Sequence, residues 1–283
     1  MFNQPTLTIT IDQRSYLVLT DKGTSLAIPQ TFGENQPNHF AVPKATRSPV
    51  RVGTFVGDMR QGGSVNFDEV RLIPHCNGTH TETVGHIVVE EHFISEQLFH
   101  SHGLAVIVSV IPCAATATNE GYDPPLGKSD LVLTAEELER AFAKAAMQQK
   151  ISKQSVSHLV LRTLPNSQQK LSRKYELTDA VPFFTSEAIR WVVDSGIQHL
   201  LVDVPSVDRM LDDGRLHSHC LFFGVESGTR KLMDSVGSSR TITEMVFVPD
   251  EISDGFYWIN LQIPAWNLDA APSRPIVYPI REL

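Results

Sequence analysis

The run Leu104-Ala-Val-Ile-Val-Ser-Val-Ile111 constrains the fold more than any other stretch of this chain. It is nearly all apolar and mostly β-branched, with no polar residue at every second position. A strand of that kind has no solvent face and is buried on both sides, as in the interior of a covered sheet. Two helices follow it. Thr134 to Met147 opens with the capping-box pair Thr134 and Glu137, and Leu138, Phe142 and Ala145 or Ala146 fall on one face. Ser186 to Gly196 has a serine cap and a glycine stop. The first helix leads to a strand at His158–Arg162 and the second to one at His199–Asp203. That alternation predicts an α/β or mixed domain. Without an internal repeat or a linker, residues 1–283 read as one domain.

The N-terminal part is less regular. Strands are expected within Thr8–Thr20, and residues 1–50 read as a strand and loop segment covering the rest. Pro37 to Pro43 reads as an ordered loop or covering piece. Glu69 to Ile73 alternates charged and apolar residues and stops at Pro74. The apolar fraction of 41% is enough for a real core, while a net charge of -8 gives no counterion-release gain on nucleic acid and no attraction to anionic membranes. No apolar run is long enough to span a bilayer, and Met1 to Thr10 lacks the order of a signal peptide. The expectation is a cytoplasmic protein acting on a small molecule.

Eleven histidines and three cysteines direct attention to two short regions. The first, Pro74 to His86, holds His75, Cys76, His80, Glu82 and His86, the side-chain types that ligate zinc. His80 and Glu82 are two apart, so in an extended segment they point the same way. Gly78 and Gly85 permit unusual backbone angles between them. The spacing is neither the helical pattern of zincins nor a paired-cysteine site, and a polar turn with backbone-bonded histidines is the competing reading. The second region holds Asp203, Asp208, His217, His219 and Cys220. Asp203 ends a strand, where active-site carboxylates often sit. Asp208 reads as a turn or helix cap. His217 and His219, two apart, imply that one is a ligand and the other solvated. Glu244, alone in a β-branched run, reads on its own as exposed, because a lone buried carboxylate is costly. Phe93, Phe99 and Trp191 read as core rather than pocket.

Gly78-Thr79-His80-Thr81-Glu82 followed by His86 resembles the signature His-x-Gly-Thr-His-x-Asp-x-Pro-x-His of the cyclase family, which includes the bacterial kynurenine formamidases. Val202 to Asp208, Leu216 to Gly224 and Glu244-Met-Val resemble later segments of that family in the same order, so the likeness runs from about Val50 to Ile280. The resemblance implies a β-rich single domain of the swivelling β/β/α type, often a homodimer or homotetramer. It implies one or two divalent ions, Zn2+ or Mn2+. By position His80, Glu82, His219 and Glu244 become ligands, with Glu82 able to bridge two ions, and His86 stands at the family's catalytic histidine. The reading of Glu244 as exposed is thereby reversed.

Four departures stand out. Cys76 occupies the place of the first histidine, with His75 one residue away, so either can be the first ligand. Glu82 replaces Asp, Val84 replaces Pro, and Val225 to Arg240 is extra. The implied function is a metal-dependent amidohydrolase of arylformamidase type, in which activated water cleaves a small amide and His86 shuttles the proton. Orienting Glu82 is the other role open to His86. The competing functions are ring opening of a cyclic amide or lactone, and a metal-binding module without turnover.

Overall fold

One large mixed sheet organises the computed structural model, which describes residues 6–33, 35–97, 101–233 and 237–283. Its strands in chain order are β1 (Leu7–Ile11), β2 (Arg14–Val18), β3 (Thr24–Ser25), β4 (His80–Glu82), β5 (His102–Val110), β6 (His158–Thr163), β7 (His199–Val202), β8 (Thr241–Glu244), β9 (Gly255–Gln262), β10 (Ala270–Pro272) and β11 (Arg274–Glu282). They lie in the order β1-β2-β11-β9-β5-β6-β7-β8-β4-β10, with β3 added to β11. The block β5-β6-β7-β8 is parallel. The flanking pairs are antiparallel.

The doubly buried strand is β5. Leu104, Val106, Val108 and Val110 join the core on the helical side. Ala105 and Ile107 pack on the other side with Leu26, Val160, Leu201, Ile259 and Val277. Both faces are dry, which is why its sequence does not alternate.

Helix α1 (Ala135–Gln149) lies on β5 and β9 and touches α2 (Ser186–Asp194), which packs on α3 (His217–Phe223). Thr134 caps α1 by accepting the Glu137 N–H at 3.3 Å. The capping box is half made, because the Glu137 carboxylate pairs with Arg140 and the Ile111 N–H. Packing decides the helix. Burying Leu138 or Phe142 is worth roughly 2 kcal/mol each, against tenths for the exposed Glu137–Arg140 pair. For α2 the cap is Thr185, not Ser186: its hydroxyl accepts the Ala188 N–H at 3.1 Å, and Ser186 is the first helical residue. Gly196 stops the helix at a φ of 78°, in the left-handed region.

The N-terminal residues do more than cover. β1, β2 and β3 extend the sheet through β11, while Asn38–His39 pairs with Lys174–Tyr175. Thr46–Pro49 and Asp68–Arg71 form a ribbon with mostly exposed side chains. Trp191 packs edge-on against Phe142, as a core aromatic does. Phe93 is half-buried, and Phe99 lies outside the described residues. Among the described residues no helix is long and apolar enough to cross a membrane.

Candidate metal centre

Strand β4 sits between β8 and β10, and this placement builds the site. The register sets His80 opposite Glu244 and Ala270 opposite Glu82. His80 and Glu82 share one face of β4, as their spacing predicts. Thr81 points the other way and joins the Thr243 and Ser273 hydroxyls at 2.7 and 2.8 Å. Gly78 enters β4 at a φ of 150°, which side chains rarely adopt. Gly85 is needed for a different reason from the one expected: a Cβ there would lie 2.4 Å from the His92 carbonyl oxygen.

Glu82 and Glu244 are both buried, and β8 has no solvent edge because β7 and β4 flank it. The isolated reading of Glu244 as exposed is therefore wrong. One of its oxygens accepts the Val207 N–H at 3.0 Å, and the other lies 3.5 Å from His80 Nε2. His80 Nδ1 donates to the Gly78 carbonyl at 3.0 Å, which leaves Nε2 as a lone pair facing the two carboxylates. That Nε2 is buried without a hydrogen-bond partner.

On the helical side His219 Nε2 donates to Glu82 Oε1 at 2.8 Å, and Nδ1 donates to Asp208 at 2.5 Å. Asp208 also accepts the Ser218 and His219 N–H groups of α3 and the Tyr122 hydroxyl at 2.6 Å. It is thus a helix cap, as read, and the orienting partner of His219 as well. His217 and His219 lie on a helix, not an extended segment, so about 200° separates them. His217 is half-buried rather than free in solvent: it meets Ser186 Oγ at 2.8 Å and the edge of Tyr122.

On the solvent side His75 Nδ1 lies 2.9 Å from Glu82 Oε2, and the His75 and His86 rings stack at 4.1 Å. Asp269, just before β10, approaches both rings, 2.8 Å from His75 Nε2 and 3.3 Å from His86 Nδ1. Two groups of ligand atoms result, each within 4.8 Å: His75, Glu82 and His86, and His80, Glu82 and Glu244. Glu82 belongs to both. Cys76 is buried and belongs to neither, and its thiol is pushed up to about 11 by burial and by Glu244.

Asp203 is not part of the centre. It is buried against Thr163 and Lys170, with Lys170 Nζ at 2.7 Å, and lines a separate cavity of about 360 Å³. Cys220 faces Arg230.

The electrostatics ask for positive charge. Burial works to lower the pKa of His75, but Asp269 and Glu82 outweigh it and bring it up to about 10. Burial likewise opposes a charged His219, and Glu82 and Asp208 hold its pKa well above the ordinary value. For Glu82, burial favours the neutral acid, yet the His86 and His219 imidazoles keep it well below the usual carboxylate range. Desolvating a carboxylate costs several kcal/mol, so two carboxylates buried this closely require compensating cations. Protons on His75 and His219 supply that charge in the metal-free protein. The partnerless His80 Nε2, facing the Glu82 and Glu244 carboxylates, fits a divalent ion in the same role, and an imidazole and carboxylate donor set suits Zn2+ and Mn2+ alike.

Sequence reasoning missed three residues. Asp269 and Tyr122 carry no local signal, since only the fold brings them in. His39, in the Pro37–Pro43 loop, is buried with both ring nitrogens lacking a hydrogen-bond partner. Its N–H donates to the Cys76 carbonyl at 2.9 Å. Burial, then His80 and His75, pull its pKa down to about 4.

A sequence profile of the cyclase family matches residues 6–209. The chain belongs to the cyclase family. None of the curated proteins compared with it matches. Among solved structures it is similar to a predicted metal-dependent hydrolase from Bacillus stearothermophilus, at 15% identity and a TM-score of 0.56, covering 91% of this chain and 98% of that one. A structure described as a novel cyclase matches at 16% identity and a TM-score of 0.59, covering 91% and 87%. An isatin hydrolase bound to the product analogue thioisatinate matches at 12% identity and a TM-score of 0.56, covering 93% and 95%. At such identities these likenesses establish the shared fold, a sheet-dominated mixed α/β domain.

Proposed function

We propose that this protein is a metal-dependent hydrolase that cleaves a small amide with activated water. One observation carries the reading. Glu82 is shared by two convergent groups of imidazoles and carboxylates, and within them His80 Nε2 is buried without a partner. His80, Glu82, Glu244, His219 and His75 would hold one or two ions. A divalent cation supplies Lewis acidity, making hydroxide available near neutral pH and polarising a carbonyl.

The remaining work falls to this chain's own side chains. His86 is 29% exposed and stacked on His75, at the boundary between the buried carboxylates and solvent. From there it takes the proton from the attacking water and returns it to the leaving nitrogen. Asp208 keeps the His219 ring turned toward Glu82. The competing role for His86, orienting Glu82, would show instead as weakened metal binding when the ring is removed.

Ring opening of a cyclic amide is the more specific second reading, because two of the similar folds are isatin hydrolases. The test is elemental analysis of wild type and His80→Ala purified without chelator, followed by turnover of formanilides and isatin-type lactams. Near-stoichiometric metal that is lost in the variant, with turnover of either class, supports the reading. Metal without turnover on any of them points to a binding module. No metal after incubation with zinc and manganese sinks the proposal.

A further inference from the structure

Asp269 stands apart from every motif that defines the centre, yet its Oδ2 touches two of the centre's histidines. It receives His75 Nε2 at 2.8 Å and His86 Nδ1 at 3.3 Å, and the two rings stack at an angle of 26°. Its own main chain is tied down. The Asp269 carbonyl accepts the Thr83 N–H at 2.9 Å, and the Thr83 hydroxyl caps the turn Val84–His86 by accepting the Gly85 N–H. One residue therefore fixes the turn that carries His86 and grips its ring.

A ring nitrogen that donates its hydrogen to a carboxylate does not offer a lone pair elsewhere, so the partner chosen for one nitrogen decides what the other can do. Held by Asp269, His75 is left with Nδ1 toward Glu82, and His86 is left with Nε2. We propose that Asp269 is the positioning residue of the centre, selecting the inward nitrogen of both His75 and His86. It touches His75 where the family motif is altered, since Cys76 occupies the first histidine position and His75 is the ring that reaches Glu82. The catalytic consequence rests on the reading of the site as a metal hydrolase. The hydrogen-bonding claim does not.

The test uses full-length Asp269→Ala, Asp269→Asn and Asp269→Glu. Asp269 is 37% exposed, so these variants are expected to fold, and circular dichroism checks that. In metal-free protein with 15N-labelled histidine, the downfield ring N–H protons of His75 Nε2 and His86 Nδ1 are expected to disappear in the alanine variant and return in the glutamate variant. Zinc affinity by chelator competition is expected to fall about 10- to 100-fold in the alanine and asparagine variants. In the loaded enzyme, kcat falls with KM little changed. Ring protons and zinc affinity unchanged in the alanine variant overturn the proposal. If wild type binds no zinc, the hydrolase reading fails on its own, and the ring protons still decide whether Asp269 does what is proposed.

Discussion

The two halves of the centre are built differently. The inner half, His80, Glu82 and Glu244, stands on β4 and β8, and sheet register fixes the side chains face to face in a dry environment. The outer half, His75, His86 and Asp269, stands on turns and a strand edge, and its side chains are 23%, 29% and 37% exposed. A strand site is rigid and cannot easily admit water. A turn site can exchange protons with solvent but needs neighbours to hold it. On the proposed reading the inner half only binds, whereas the outer half would both ligate, through His75, and pass protons, through His86, with Glu82 as the residue that both need.

Removing that shared residue tests the division most severely. Glu82→Gln is expected to abolish metal binding in both halves, read by elemental analysis, and to leave charged partners of a buried pair uncompensated. Breaking such a pair costs about 3–5 kcal/mol, measurable by urea unfolding. Metal retained at wild-type level would mean that the halves are independent and that Glu82 bridges nothing. Next comes His86→Ala, for which turnover should fall about 10²- to 10⁴-fold while metal content stays near wild type. Metal lost together with activity would move His86 from proton transfer to ligation and erase the division of labour.

The contrast also explains what the sequence disclosed. His80 and Glu82 are legible as a pair because a local rule connects them, alternation along a strand, whereas the role of His86 comes only from the family resemblance. The strand β5 and the helix α1 were legible for the same reason, as their apolar patterns are local. Glu244 was legible only through the family resemblance. Its burial depends on β8 lying between β7 and β4, which no window around the residue reveals. Asp269, Tyr122 and His39 were invisible, because each reaches the site across the fold, and a lone aspartate, tyrosine or histidine in a loop carries no periodic signal. His217 and His219 were misread as extended because a spacing of two says nothing about the helix that three-dimensional packing gives that segment. The cap of α2 was missed by one residue, Thr185 and Ser186 being chemically equivalent candidates.

A finer test sets His80→Ala against His75→Ala. His80 stands in the buried half of the centre, between the Glu82 and Glu244 carboxylates, so the first substitution is expected to weaken zinc binding at least tenfold more than the second in chelator competition. Equal losses would show that the outer half binds as firmly as the inner and that exposure is a poor guide to role.

The smallest expected effect belongs to Cys76→Ser, and it settles which of two adjacent residues fills the altered motif position. Cys76 Sγ lies outside both groups of convergent ligand atoms, whereas His75 Nδ1 is 2.9 Å from Glu82. Serine preserves the size of the buried side chain but buries a hydroxyl in place of a thiol, so stability should fall by about 1–3 kcal/mol. Zinc stoichiometry and affinity should stay within a few-fold of wild type. A steep loss of zinc in this variant, with His75→Ala nearly silent, would make the thiolate the first ligand. His75 would then be a ring stacked on His86, and the outer half would lose its only candidate for holding metal against Glu82 besides His86 itself.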